Sequence, residues 1–331
     1  MRTSLCDKLE IGVPIVLAPL GRAAGPGLAA AVSNAGGLGM LAPWAVSLDV
    51  MRQEIRETKV LTSLPFAVNL NMAMSQADRL EVCREEGVRL VSFFWDDKFD
   101  LMARAKAAGM IVLQSIGTAK AARQAVDAGA DIVVAQGWEA GGHVRGTVAT
   151  LPLVPAVVDA VPGVPVVAAG GISDARGLAA VLSAGASGAW IGTRFLASEE
   201  ANIHPEWRAQ VLAATEDDTV HAIDLFDIPG WPDAPHRAIR NSTARMWEAA
   251  GRPPIGKRPH ESDVIGALAN GNKVLRYRGS TPRADITGDV EAMSLWAGQS
   301  VGLVKTVQPA AEIVREINDG ARTILRRLAA A

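Results

Sequence analysis

The chain has 331 residues, 49% of them hydrophobic and 21% charged, with a formal net charge of -2. That balance supports a large buried core and leaves neither a basic field for nucleic acid nor an acidic tail. Two cysteines, Cys6 and Cys83, suggest neither a disulfide framework nor a zinc cluster.

The N-terminal stretch MRTSLCDKLEIGVPIVLAPL places acidic residues ahead of a short apolar run, which is not the layout of a secretory leader. No uninterrupted apolar run reaches the roughly 18 residues of a membrane span. The expectation is a soluble cytoplasmic protein with no nucleic-acid or membrane partner. Eight apolar runs then follow in order: PIVLAP (14–19), GLGML (37–41), PFAVNLN (65–71), VRLVSFFW (88–95), MIVLQSI (110–116), ADIVVAQG (130–137), VPVVAAGG (164–171) and GAWIGTRF (188–195). They are continuous rather than alternating, as parallel strands buried on both faces require.

Helical stretches fit between these runs. Thr118 suits a helix N-cap, with Ala121, Ala122, Ala125 and Val126 on one face and Gly129 past its end. Asp174 and Gly185 bracket the next example, and Gly36, Gly87 and Gly109 repeat the helix–Gly–strand join. Eight such units predict an α/β fold, a closed (β/α)8 TIM-type barrel. A doubly wound open sheet is the alternative, but no topological switch can be located for it. Residues 196–290 break the rhythm with prolines and helical segments (HPEWRAQVLAAT, TARMWEAAG, ESDVIGALANG). They predict a small helical insert domain after the eighth strand, a substrate lid over 206–290, with the barrel formed by 1–205 plus 291–331. MSLWAGQSVGLV (293–304) has the small residues to pass close to a ligand or to pack as a tight helix. Residues 309–330 predict a closing amphipathic helix.

In such barrels the site forms at the C-terminal strand ends. Those ends carry Asn69 and Asn71, Gln114 and Ser115, Gln136 and Gly137, Gly170 and Gly171, and Gly192 and Thr193. Amides, hydroxyls and glycines with few carboxylates predict no metal site and suit a large planar ligand with donor and acceptor edges, such as a flavin. AAGGISDARG (168–177) and IGTRF (191–195) follow strands seven and eight, where barrels bind phosphate through backbone N–H groups. Gly170 and Gly171 admit an anion close to the backbone, and Thr193 adds a hydroxyl. Because GRAAGPG is a poor GxGxxG, a mononucleotide phosphate fits better than a dinucleotide.

The stretch QGWEAGGHVRG (136–146) completes the set. Gln136 can address a ligand ring, and Gly141 and Gly142 permit positive φ and close approach to a cofactor. His143 titrates near neutrality and can take or give a proton. A histidine in a loop often only ties that loop to a carbonyl, but this one stands beside two glycines and across from the phosphate turns. His204, His221, His236 and His260 have no comparable setting and are expected to be structural or exposed.

These stretches together resemble the nitronate monooxygenase family. The resemblance rests on QGWEAGGHVRG, AAGGISDARGLAAVLSAGASGAWIGTRFLAS and PFAVNLN, supported by RNSTARM and WAGQSVGLV, and covers nearly the whole chain. It implies an FMN-binding barrel with FMN contacts at Asn69, Gln136, Gly141, Gly171, Trp190, Ile191, Gly192 and Thr193; the strand ends add Gln114, Gly142 and Gly170. It also implies that His143 is the catalytic histidine, and that a nitronate or nitroalkane is oxidised with O2 to a carbonyl compound and nitrite. Flavin NADH:quinone reductases and flavin enoyl-acyl carrier protein reductases are similar and stay open as alternatives. A flavin-free barrel lyase or isomerase would need Lys or paired carboxylates at strand ends. Lys59 and Lys120 fall in helical segments, and Asp96 and Asp97 form only an isolated pair. Arg145 is left open between attracting an anionic substrate and sitting in solvent. The sequence does not reveal the oligomeric state; a homodimer is the state kept as the expectation.

Overall fold

The computed structural model describes residues 1–95, 99–228 and 231–330. Eight parallel strands make one sheet: β1 (Ile15–Leu17), β2 (Gly39–Leu41), β3 (Phe66–Asn71), β4 (Leu90–Phe94), β5 (Ile111–Ile116), β6 (Ile132–Gln136), β8 (Val166–Ala169) and β9 (Gly188–Ile191). A two-residue strand, β7 (Gly142–His143), lies in the loop after β6. The sheet runs β1-β9-β8-β6-β5-β4-β3-β2. It closes on itself between β1 and β2: Leu17 N–H donates to Leu38 O and Leu38 N–H to Ile15 O, both at 2.9 Å. The fold is thus a (β/α)8 barrel rather than an open doubly wound sheet, and each of the eight predicted runs contains one of its strands.

One kind of join carries the chain from helix back to barrel. After helix Ala119–Asp127, Gly129 adopts φ +108, Ala130 N–H donates to Ala125 O and Gly129 N–H to Val126 O, both at 2.9 Å. This left-handed cap, which favours glycine for want of a Cβ clash, recurs at Gly36, Gly87, Gly109 and Gly185. At the opposite helix ends, Thr118 Oγ1 accepts from Ala121 N–H, and Asp174 accepts from the N–H groups of Arg176 and Gly177. The C-terminal helix Ala310–Ala329 packs on helix Ala175–Ser183. Gly320 permits this approach, since a Cβ there would lie 2.6 Å from that of Ala175. Among the described residues no helix is long and apolar enough to cross a membrane.

The inserted segment departs from the helical expectation. Helices Pro205–Ala213 and Ser242–Ala249 form as predicted. The segment also folds into β10 (Thr219–Ala222), β11 (His236–Ile239), β12 (Val264–Ala267), β13 (Lys273–Leu275) and β14 (Thr287–Gly288). The third predicted helix, ESDVIGALANG, is instead most of a hairpin. Its turn is pinned by Leu268 N–H to Asn272 O at 2.9 Å, with Gly271 at φ +82. Asn270-Gly271 is a recognised hairpin signal that outweighs the weak helical spacing around it. Strands of three or four residues are too short to show a period. Val220, Phe226, Ala238, Trp247 and Tyr277 belong to a small apolar cluster of the insert, whereas Ile239, Ile265 and Val274 join the barrel core.

Candidate active site

A cavity of about 1230 Å³, counting the part open to solvent, sits at the C-terminal strand ends. Strand geometry decides which predicted residues reach it. Asn69, Gln136, Trp190, Gly192 and Thr193 line it, as do the loop residues Gly141, Gly142, His143, Gly170 and Gly171. Gln114 and Ile191 do not. Side chains alternate along a strand, so Ser115 faces the cavity while Gln114 turns away and donates from Nε2 to Ser115 O at 3.0 Å. Ile191 is fully buried between two lining neighbours, Trp190 and Gly192. Asn71 and Ser115, noted among the strand ends, also line the cavity.

One end of the cavity is built from bare backbone and hydroxyls. Gly170 and Gly171 hold φ of +99 and +74 at the turn leaving β8. Thr193 Oγ1 accepts from Gly298 N–H at 2.9 Å, which leaves the hydroxyl hydrogen free to donate elsewhere. Ser300 adds a second hydroxyl, bonded to Ser173 at 2.7 Å. Nearby Arg194 is committed to Thr306 O and Gln308. Among the described lining residues there is no Lys, Arg, Asp or Glu, and His143 is the one titratable side chain. Lys59 and Lys120 lie in helices Leu48–Leu61 and Ala119–Asp127 and do not line the wall. Asp96 and Asp97 lie outside the described residues.

The histidine loop is held from three sides. Gln136 Nε2 donates to His143 O at 3.0 Å, and the Glu139 carboxylate accepts from Thr150 N–H at 3.1 Å, where a helix begins. Behind the loop, Gly141 meets the backbone of 297–298, where a Cβ would fall 2.3 Å from Gly298 N. The expectation of positive φ holds for Gly142 (+67) only; Gly141 is small because protein backbone packs on it. From the insert, β11 pairs antiparallel with β7, setting His236 opposite His143 and Arg237 opposite Gly142. Arg237 then donates to Trp138 O at 3.1 Å and to Thr219 Oγ1 at 3.2 Å. Arg145 is exposed and does not line the cavity.

His143 stands in an aromatic wall that the sequence did not announce. Its ring stacks on Trp231 with centroids 3.9 Å apart and planes at 18°, and Trp296 lies 5.3 Å away. Its Nε2 is buried without a hydrogen-bond partner. Burial pushes the His143 pKa well below 6.5, and the neighbouring His236 adds to the effect, so the imidazole is neutral at pH 7. His236, pushed by burial to about 4, accepts from Phe226 N–H through Nε2 and bonds Ala234 O through Nδ1. Of the other histidines, His204 caps a helix, His221 packs on Trp138 with centroids 3.9 Å apart, and His260 is exposed. Taken together, the wall offers amides and bare backbone for a planar, phosphorylated ligand, and one neutral imidazole for a proton.

A family model described as nitronate monooxygenase matches residues 2–78 and 70–320. The chain is 41% identical over 289 residues to the (3aS,4S,5R,7aS)-5-hydroxy-7a-methyl-1-oxo-octahydro-1H-indene-4-carboxyl-CoA dehydrogenase of Mycobacterium tuberculosis, which covers 86% of this chain and 77% of that one. It is 35% identical over 339 residues to a probable nitronate monooxygenase of Bacillus subtilis, covering 89% and 92%. Among solved structures, FabK from Thermotoga maritima superposes with a TM-score of 0.86 at 34% identity, over 100% of this chain and 99% of that one.

Proposed function

The chain belongs to the nitronate monooxygenase family of oxidoreductases, and from that premise we propose that it holds FMN in this cavity and oxidises alkyl nitronates with O2 to a carbonyl compound and nitrite. The observation that carries this reading is His143: neutral, with an unpartnered Nε2, and the one titratable side chain on the described wall.

The residues present fit a flavin mononucleotide. Gly170–Gly171 and Gly192–Thr193 form a cradle of bare backbone for a phosphate, to which the Thr193 hydroxyl can donate; the Glu139 carboxylate behind Gly171 is bonded to Thr150 N–H. The amides of Asn69 and Gln136 suit the donor and acceptor edges of the ring. When bound, the flavin supplies the redox chemistry, taking electrons from the donor and passing them to O2.

The chain's own contribution is a proton and a shape. A histidine held well below its ordinary pKa is a poor acceptor for the proton of a neutral nitroalkane. An anionic nitronate next to it favours the imidazolium, so Nε2 takes a proton from solvent and holds the substrate's charge. The wall has no other described cation to do this, which favours the nitronate over the nitroalkane as donor.

Under anaerobic conditions, nitronate bleaches the flavin of the purified protein while NADH leaves it coloured. With oxygen restored, nitrite appears in step with nitronate consumed. Bleaching by NADH and none by nitronate would overturn the reading. A second reading, redox chemistry on an acyl-CoA thioester, is favoured by the 41% identity to a carboxyl-CoA dehydrogenase. It predicts bleaching by a hydroxyacyl- or acyl-CoA in the same experiment.

A further inference from the structure

We propose that the aromatic wall around His143 is a slot for a flat apolar group, aromatic or fused-ring, carried by the donor next to its anionic head, and that Trp231 sets this preference. The proposal rests on the nitronate reading only for the identity of that head.

Trp231 is 5% exposed and fixed from several directions. Trp44, Phe94 and Trp95 meet it edge-on at 6.3, 6.2 and 4.7 Å, and His143 stacks on it. Edge-to-face and stacked contacts of this kind define an orientation as well as burying area. Its indole Nε1, a donor with no acceptor capacity, is buried without a partner. So is His143 Nε2, on the ring stacked against it. Two partnerless nitrogens on adjoining rings of one cavity wall call for a ligand atom that accepts from the indole and pairs with the imidazole. An oxyanion does both.

The rest of the ligand must answer to the remaining surface. Trp296 lies 5.3 Å from His143 with its ring tilted, held edge-on by Phe226 at 5.7 Å and His236 at 5.3 Å. Trp44, Phe94, Trp231 and Trp296 all line the cavity. Trp231 itself is sealed, but Trp44, Phe94 and Trp296 are partly exposed there, and a planar ring covers more of that surface than a short alkyl donor does.

The test is calorimetric titration of the flavin-loaded full chain with acetate, benzoate and 2-naphthoate, anions that are not oxidised. Affinity rises about tenfold at each step, from the apolar area each ring removes from water. Trp231→Leu flattens the series. Trp231→Phe, which keeps the flat face and loses the N–H, preserves the series but weakens all three anions by about tenfold. Equal binding of acetate and 2-naphthoate, an unaltered series in Trp231→Leu, or unweakened anions in Trp231→Phe would overturn the proposal. So would release of flavin by 2-naphthoate, because the slot would then be the flavin's own. A protein that binds the ring series but does not turn over nitronate keeps this proposal and loses the other.

Discussion

At the scale of single residues, His143 combines a free nitrogen with a wall that disfavours charge. Its neighbours are rings, and the nearest titratable one, His236, is itself neutral and committed to two backbone groups. Nitronate binding at pH 7 should therefore draw up to one proton per site from the medium. Calorimetry in buffers of different ionisation enthalpy reads that uptake directly, and His143→Asn should abolish it. The same variant should lower kcat/KM for nitronate by about 10²–10³-fold while keeping its flavin. His143 was legible because two glycines and a strand end framed it. Gln114 and Ile191 were expected at the site but do not line the cavity, since the ends of buried strands do not reveal which residue faces inward. Trp231 gave no signal, because an isolated tryptophan reads the same in a core as in a binding wall; Trp296 was marked only through the stretch 293–304 that could pass close to a ligand.

At the scale of elements, the loop after β6 is shaped as much by the insert as by the barrel. β11 completes a small sheet with β7, and Arg237 grips the loop at Trp138 O. Arg237→Ala leaves that partly buried carbonyl without its partner and should cost about 1 kcal/mol in urea unfolding. It should also depress turnover more than flavin content, because it frees the histidine loop and leaves the glycine turns alone. The reverse split is expected for Gly171→Val. A branched residue is strained at φ +74, and its Cβ would press within 3.2 Å of Glu139. Flavin should be lost on gel filtration, whereas a variant retaining it in full would show that this turn does not hold the phosphate. The barrel units were readable because strands buried on both faces leave long apolar runs and glycine marks each return. The insert's strands are short and mixed, and their partners lie far away in sequence, so only Asn270-Gly271 signalled one of them.

At the scale of the whole molecule, three partly or fully buried histidines link stability to pH. His236 and His221 are held at about 4 and His143 well below 6.5, all by burial first. Between pH 6.5 and 4 the unfolded chain binds more protons than the folded one, so stability rises with pH there and is complete above 6.5. His236 alone accounts for about 3 kcal/mol over that window. The thermal midpoint should hold steady from pH 8 to 7 and fall on acidification toward 4, with a smaller fall in His236→Asn. The architecture brings polar strand tips, glycine turns and an aromatic wall shared by the barrel and the insert to one mouth, where the proposed FMN would sit. Titration of stripped protein with FMN, followed by flavin fluorescence, tests that placement most directly. One FMN per chain should bind in wild type and in His143→Asn. A protein that takes up no FMN, or takes it up equally well as Gly171→Val, would contradict the account.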